Sequence, residues 1–425
     1  HVTGVQTCAL PISGLATHCT IARYSKQDRK NYFYPDLPKA YQISQYDLPL
    51  CEHGYLEIQT PEGGKRIGIT RIHIEEDAGK LVHKEGGGTL CDYNRCGVPL
   101  IEIVSEPDIR SAEEAKQYVR KLRAIMMYTG VSDCKMQEGS LRCDVNLSVR
   151  KKGETAFGTR TEMKNLNSFQ FIGKAIEYEF ARQVKALEAG EKIVQETRRF
   201  DQQSGKTFSM RKKENADDYR YFPDPDLIPV VTEQAWLEEM QQSIPPLPDD
   251  RKKKYIEQYG LAAADADLLT ADLLTADYFE QAAQGCSSPK TLANLMLGEL
   301  LKLIPAEAET IPIRAAHMAE LCNLLAEDKI NNGTAKKLVK QMWQADTPPS
   351  VLAEEQKLWQ INDRSILRET VRRAIAQDEK SAADFRAGKT NAIKALIGRA
   401  MQETGGQANP KLLAELMEDA LNEAE

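Results

Sequence analysis

A break at Pro245-Pro246-Leu247-Pro248-Asp249-Asp250 constrains the fold of this chain more than any other feature. Before it, aromatic and β-branched runs alternate with turn residues; after it, Ala-, Leu- and Glu-rich helical patterns take over. Such a chain is expected to be α+β. An antiparallel-sheet cradle would occupy residues 13–244, a helical domain 245–350, and a small all-α tail 351–425 beyond the Pro348-Pro349 break. At 425 residues the chain is long enough for about three domains.

The first twelve residues behave differently. Val2 to Ile12 shows neither helical nor strand periodicity and resembles the translated frame of a sequencing-library adapter. Residues 1–12 are therefore read as foreign, with the natural N-terminus expected to be missing. No apolar run approaches the roughly 20 residues that span a bilayer, which predicts a cytoplasmic, soluble protein. Nine cysteines include no Cys-x-x-Cys pair, so they are expected to be reduced thiols acting mostly as filler. A net charge of -7 argues against a uniformly basic nucleic-acid surface and leaves room for one local basic face.

Within the cradle, the aromatic segments 31–34 and 41–46 flank Pro35-Asp36-Leu37-Pro38, the pattern of two strands and a turn. Residues 67–75 alternate, with Ile67, Ile69, Arg71, His73 and Glu75 on one face and Ile72, Ile74 and Glu76 on the other. Ser111-Ala-Glu-Glu114 is a capping box opening a helix stopped by Gly130. A second helix is expected between Ser168 and Gly190, with Ile172, Ile176, Phe180, Val184 and Leu187 as its apolar stripe.

The richest stretch runs from Asp92 to Asp108 and places Glu102 inside the apolar strand 100–104. An unpaired buried carboxylate costs several kcal/mol. Two readings stand: Glu102 points to solvent, or it is partnered by a bound cation, by Arg95 or by a substrate ammonium. Nearby, Glu75, Glu76 and Asp77 end a strand, and Asp144 alternates with Arg142 and Asn146 along another. Arg160, Glu162 and Lys164 form a matching charged row, so the two strands suggest a mixed-charge floor suited to phosphates held with a metal.

Two tempting motifs fail. Gly205-Lys206-Thr207 and Gly388-Lys389-Thr390 end like a phosphate-binding loop, but Phe200 and Ala383 replace its first glycine. No Gly-x-Ser-x-Gly elbow supplies a hydrolytic nucleophile either. In the tail, helices are expected at 364–377 and 390–403 and after Asn409-Pro410, with Ile393, Leu396, Ile397, Ala400 and Met401 forming core. Arg386, Lys389, Lys394, Arg399 and Lys411 make that segment locally basic; they either contact phosphates or simply solvate a bundle.

The segments 29–45, 71–80, 92–108, 138–144, 164–168 and 218–226, together with Gly-Gly-Gln-Ala-Asn-Pro at 405–410, resemble in order the B subunits of aspartyl/glutamyl-tRNA(Asn/Gln) amidotransferases. The resemblance runs from about Gly14 to the C-terminus. It implies a ligase that uses ATP and Mg2+ to phosphorylate the side-chain carboxyl of Glu on tRNA(Gln) or Asp on tRNA(Asn). Ammonia from glutamine hydrolysed on the partner A subunit then displaces the phosphate, and a small C subunit steadies the heterotrimer. The tail resembles that family's tRNA-binding domain. The alternative is a tRNA-binding scaffold whose site is truncated and inactive.

The resemblance assigns Lys30 and Lys39 to steadying phosphates and Glu76 to the metal; strand parity alone leaves Glu75 and Glu76 equivalent. Glu102 and Asp144 are added as metal and catalytic groups, with Asn94, Arg95 and Lys164 as cofactor-binding partners. The family also opens with a Gly-Leu-Glu-x-His-type strand that supplies a Glu and a His to the metal site. That strand is missing here.

Overall fold

The computed structural model describes residues 8–422 apart from 85, 213–218 and 306–307. The chain divides into two compact units, His1–Asp250 and Arg251–Glu425. In chain order the first unit opens with α1 (Leu10–Ala16), β1 (Thr20–Ile21), β2 (Tyr24–Ser25), β3 (Asp28–Asn31), β4 (Tyr41–Ser44), β5 (Cys51–Thr60) and β6 (Gly63–Glu76). It continues with β7 (Lys80–His83), β8 (Thr89–Asp92), β9 (Pro99–Ser105), α2 (Ala112–Tyr128), β10 (Cys143–Leu147), β11 (Thr161–Leu166) and α3 (Phe169–Glu188). The strands β12 (Glu196–Asp201), β13 (Lys206–Lys212), β14 (Phe222–Pro223) and β15 (Val230–Val231) follow.

The fold is mixed α and β, with mainly antiparallel sheets and many helices. The main sheet has the order β1-β5-β6-β9, all antiparallel. Its long hairpin closes at Thr60 and Gly63, where the glycine takes φ +121°, a backbone region that side chains avoid. A second sheet, β10-β11-β12-β13, departs from the expected purely antiparallel cradle because β11 and β12 run parallel. A parallel pair needs a long crossover, and α3 is that crossover.

One irregularity sets the geometry of the site. Between Ile69 and Arg71 the β6–β9 register slips, since Ile69 faces Ser105 while Arg71 faces Val104. Thr70 is the extra residue of a β-bulge. The slip reverses the side-chain phase, so Ile67 and Ile69 share one core with Ile72 and Ile74. The simple alternation that set Ile67 and Ile69 beside His73 and Glu75 is thereby corrected. Four apolar side chains, each worth about 1.5–3 kcal/mol when buried, hold the strand in this phase.

Helix α2 covers that core with Ala115, Tyr118, Val119, Leu122, Ile125 and Met126. Its cap is as expected: Ser111 Oγ accepts from Glu114 N at 3.1 Å. Helix α3 is capped by Ser168 but turned differently from its sequence stripe. It buries Ile172, Gly173, Ala175, Glu179 and Gln183, while Phe180 and Leu187 are exposed. A polar network around Glu179 outweighs the apolar stripe there. The expected first aromatic strand also moves, to Asp28–Asn31, because the turn at Pro35 already begins near Tyr32, whose N–H bonds Ala40 O at 3.1 Å.

Of the stretch Val2 to Ile12 read as lacking periodicity, the last three residues open α1, with Leu10 buried in the core; residues 1–7 lie outside the described residues.

The second unit is helical. Tyr255, Phe279, Leu292, Met296, Leu321, Leu338 and Met342 belong to one core, and Leu367, Val371, Leu396, Ala400, Leu413 and Met417 to another. The latter gathers the expected tail helices, Arg364–Gln377, Ile393–Glu403 and Pro410–Asn422, together with an additional one at Glu379–Arg386. Asn409 Oδ1 caps the last by accepting from Lys411 N at 3.0 Å and Leu412 N at 3.2 Å. Among the described residues, no helix is long and apolar enough to cross a membrane.

Candidate functional site

The bulge aims His73 and Glu75 away from the core, and register then does the rest. His73 stands directly opposite Glu102 across β6 and β9. Its Nε2 lies 3.3 Å from Glu102 Oε2 and 3.6 Å from Glu75 Oε1. The ligand atoms of His73, Glu75 and Glu102 all lie within 4.8 Å of one another, the one such group of His, Cys, Asp and Glu among the described residues.

The small sheet β14-β3-β4 forms the roof. From it Lys30 Nζ reaches Glu75 Oε1 at 3.5 Å, Ser44 Oγ donates to the same oxygen at 3.3 Å, and Gln42 Nε2 donates to Glu75 Oε2 at 3.4 Å. Lys30 also sits 5.2 Å from the ring centre of Tyr219. Strand β14 is pinned by Arg29, whose Nε meets Asp224 at 2.7 Å and whose second nitrogen meets Asp226 at 2.9 Å. Residues Tyr219 to Asp226 thus hold the roof, while Asp218 lies outside the described residues.

Electrostatics follow from this packing. Burial alone would raise the Glu75 carboxyl, but the His73 hydrogen bond and the Lys30 charge overcome it and hold the group down at about 2. Burial opposes charging of His73 and Lys30, yet the facing carboxylates Glu102 and Glu75 raise both above their ordinary values. Burial likewise pushes Tyr32 to about 12. The site is a buried carboxylate kept ionised, beside an imidazole and an ammonium whose charged forms the facing carboxylates favour.

The remaining expected residues distribute as follows. Glu102 is half-exposed and bound to His73, so it is neither the buried orphan nor the partner of Arg95 that its strand suggested. Arg95 instead meets Asp77 at 3.0 Å and the carbonyls of Glu138 and Gly139 at 3.1 Å each. Arg142 takes the other Asp77 oxygen at 2.8 Å. Glu76 accepts from Lys39 Nζ at 2.5 Å and from the Ile43 backbone at 3.2 Å, and lies outside the three-residue group. Asp144 pairs with Lys164 at 2.6 Å on the second sheet. Asn94 bonds Asp92 Oδ1 at 2.6 Å in an exposed loop.

His73 and Glu75 are the two residues that the sequence reading left unassigned. Their signal was present as parity, since residues 73 and 75 must share a face, but only the cross-strand position of Glu102 singles them out. The two loop-like glycine motifs have structural roles: Gly205 turns β12 into β13 at φ +67°, and Lys389 pairs with Asp384 at 2.9 Å.

A histidine and two carboxylates offer the mixed oxygen and nitrogen donors that divalent ions such as Mg2+ or Mn2+ accept, and carboxylates dominate the set. His73 Nδ1 is buried without a partner among the described residues, which leaves that imidazole to be oriented by its Nε2 contacts alone. The donor set therefore fits a hard cation.

Residues 5–238 match the GatB/GatE catalytic domain family and residues 277–421 match the GatB domain, and the chain belongs to this family. Its relatives are specific. A protein of Caldicellulosiruptor saccharolyticus, named as the B subunit of an aspartyl/glutamyl-tRNA(Asn/Gln) amidotransferase, is 54% identical over 417 residues, 96% of this chain and 87% of that protein. Same-named proteins of Caldanaerobacter subterraneus subsp. tengcongensis and Carboxydothermus hydrogenoformans are each 52% identical over 96% of this chain, covering 87% and 86% of their own lengths.

Proposed function

We propose that this chain is the B subunit of an ATP-dependent, glutamine-using tRNA amidotransferase, a cytoplasmic ligase of protein biosynthesis that works with A and C subunits. It would act on Glu-tRNA(Gln) or Asp-tRNA(Asn). The side-chain carboxylate attacks the γ-phosphorus of ATP, ADP leaves, and ammonia then attacks the acyl carbon and expels phosphate. Phosphorylation converts a poor leaving group into a good one.

The observation that carries the reading is the His73–Glu75–Glu102 cluster beneath Lys30. His73, Glu75 and Glu102 would hold Mg2+. When bound, the ion would neutralise phosphate charge and orient the oxygens of an in-line transfer. Lys30 presents a cation at the mouth of the cluster, and Lys39 a second one beside Glu76, both suited to polyphosphate. Glu75 stays ionised through its contacts with His73 and Lys30. Ile72 and Ile74, on the opposite face of β6, anchor the strand that carries it in the core.

The test is reconstitution with A and C subunits, alongside the same chain carrying a relative's N-terminal segment. ATP- and glutamine-dependent formation of Gln-tRNA or Asn-tRNA supports the reading. A complex that binds misacylated tRNA but turns over no ATP in its presence leaves a tRNA-binding scaffold instead.

A further inference from the structure

Far from the carboxylate cluster in sequence, two thiols meet inside the helical unit. Cys286 lies in the loop 285–288 after helix Leu273–Gln284, and Cys322 lies in helix Ala315–Ala326; their Sγ atoms are 2.7 Å apart. The loop is latched to that helix by Asn323. Its Oδ1 accepts from Ser287 N at 2.7 Å and its Nδ2 donates to Gly285 O at 2.9 Å. Cys322 Sγ donates to Ser288 O at 3.3 Å, and Ser288 also caps helix Pro289–Leu295. The loop's own hydrogen bonds hold the sulfurs together.

Access differs between the two. Cys286 is partly exposed and Cys322 is fully buried, which is the arrangement of an attacking thiol backed by a resolving one. The contact with Cys322 pulls the Cys286 thiol below its ordinary range, against a smaller effect of burial, so more of it is thiolate. Nothing in the transamidation chemistry uses either sulfur.

We propose that Cys286 and Cys322 form a reversible disulfide, a redox modification site oxidised by hydrogen peroxide. The Cys286 thiolate attacks one oxygen of hydrogen peroxide; the O–O bond breaks, hydroxide leaves and becomes water with the proton the thiol had released, and Cys286 becomes a sulfenic acid. The Cys322 sulfur then attacks the Cys286 sulfur, the S–O bond breaks, and a second water departs with the Cys322 proton. Two thiols lose two electrons in total and the hydrogen peroxide is reduced by two. A thiol reductant restores the pair. The closed loop spans 36 residues, so the bond constrains the unfolded helical unit and raises its unfolding temperature by several degrees.

The experiment treats the full-length protein with graded hydrogen peroxide, blocks free thiols, digests, and maps cysteines by mass spectrometry. The expected result is a Cys286–Cys322 cross-linked peptide while buried Cys134 stays a thiol, reversal by dithiothreitol, and a lower unfolding temperature once reduced. In Cys322→Ala a 1,3-dione probe should capture Cys286 as sulfenic acid, and Asn323→Ala should slow cross-linking several-fold. The wild-type map stands even if a variant misfolds. The proposal is overturned if both thiols remain alkylatable where exposed Cys91 is oxidised, or if Cys286 proceeds to sulfinic acid while Cys322 stays free.

Discussion

Replacing Glu179 by alanine tests how the second sheet is held together. Glu179 is fully buried on α3 and accepts from Thr161 Oγ1 at 2.9 Å, Thr207 Oγ1 at 2.8 Å, Gln183 Nε2 at 3.1 Å and Arg182 at 2.6 and 2.9 Å. Arg198 lies 3.4 Å away. Breaking a buried ion pair costs about 3–5 kcal/mol. Arg182 is 27% exposed and can reach water, and Arg198 keeps the Thr207 carbonyl at 2.9 Å, so the low end applies. A loss of about 3 kcal/mol is a large share of the 5–15 kcal/mol that a domain has. Where amides of β11 and β12 exchange by opening of this sheet, it corresponds to roughly 100-fold faster exchange.

Hydrogen-exchange mass spectrometry of peptides over 161–166 and 196–201 reads this directly. The pH dependence has a definite sign. Burial would raise the Glu179 carboxyl, but its hydrogen bonds from Arg182, Gln183, Thr207 and Thr161 hold it below the ordinary range. Its stabilisation is therefore complete above the unfolded-state value of about 4.3 and is lost as pH falls through the lower folded value. The gap between wild type and Glu179→Gln should be open at neutral pH and close in acid. Protection within about threefold of wild type in Glu179→Ala, or a gap that widens in acid, refutes the reasoning.

Three further outcomes are expected. Glu102→Gln should cut transamidation by the reconstituted complex by about 10²-fold, while unfolding shifts by under about 1 kcal/mol because the side chain is half-exposed; kinetics beside a thermal scan separates the two. Gly54→Ala should destabilise the first unit by about 1–3 kcal/mol, since a Cβ there would sit 2.6 Å from the Thr17 carbonyl and 2.4 Å from Cys19 Sγ, and a denaturation curve matching wild type counts against that packing. Reversing exposed Lys394 and Lys411 to Glu should weaken tRNA binding and flatten its salt dependence with unchanged far-UV dichroism; unaltered affinity removes the tail from the tRNA surface.

The helices were largely legible because their signals are local. The Ser111 and Ser168 caps and the Asn409 cap each act within three residues, and the tail stripe from Ile393 to Met401 packs as its spacing requires. Helix α3 shows where locality fails. Its apolar stripe is conspicuous, yet Glu179 and Gln183 turn inward because Thr161, Thr207 and Arg198, from strands on either side, satisfy them. Propensity cannot report partners that distant in sequence.

The site divides along the same line. Sequence by itself determined that Glu102 lies on a strand and that a carboxylate-rich strand end precedes it, while Lys30 and Lys39 were picked out by the family resemblance. Only tertiary structure decided which of the paired carboxylates, Glu75 or Glu76, is buried against His73 and Glu102, and that Asp144 instead pairs with Lys164. For Glu75 and Glu76 the physical reason is one residue, Thr70. Side chains alternate with a period of two, so a single bulged residue reverses every face beyond it, and no local pattern announces where a partner strand will slip.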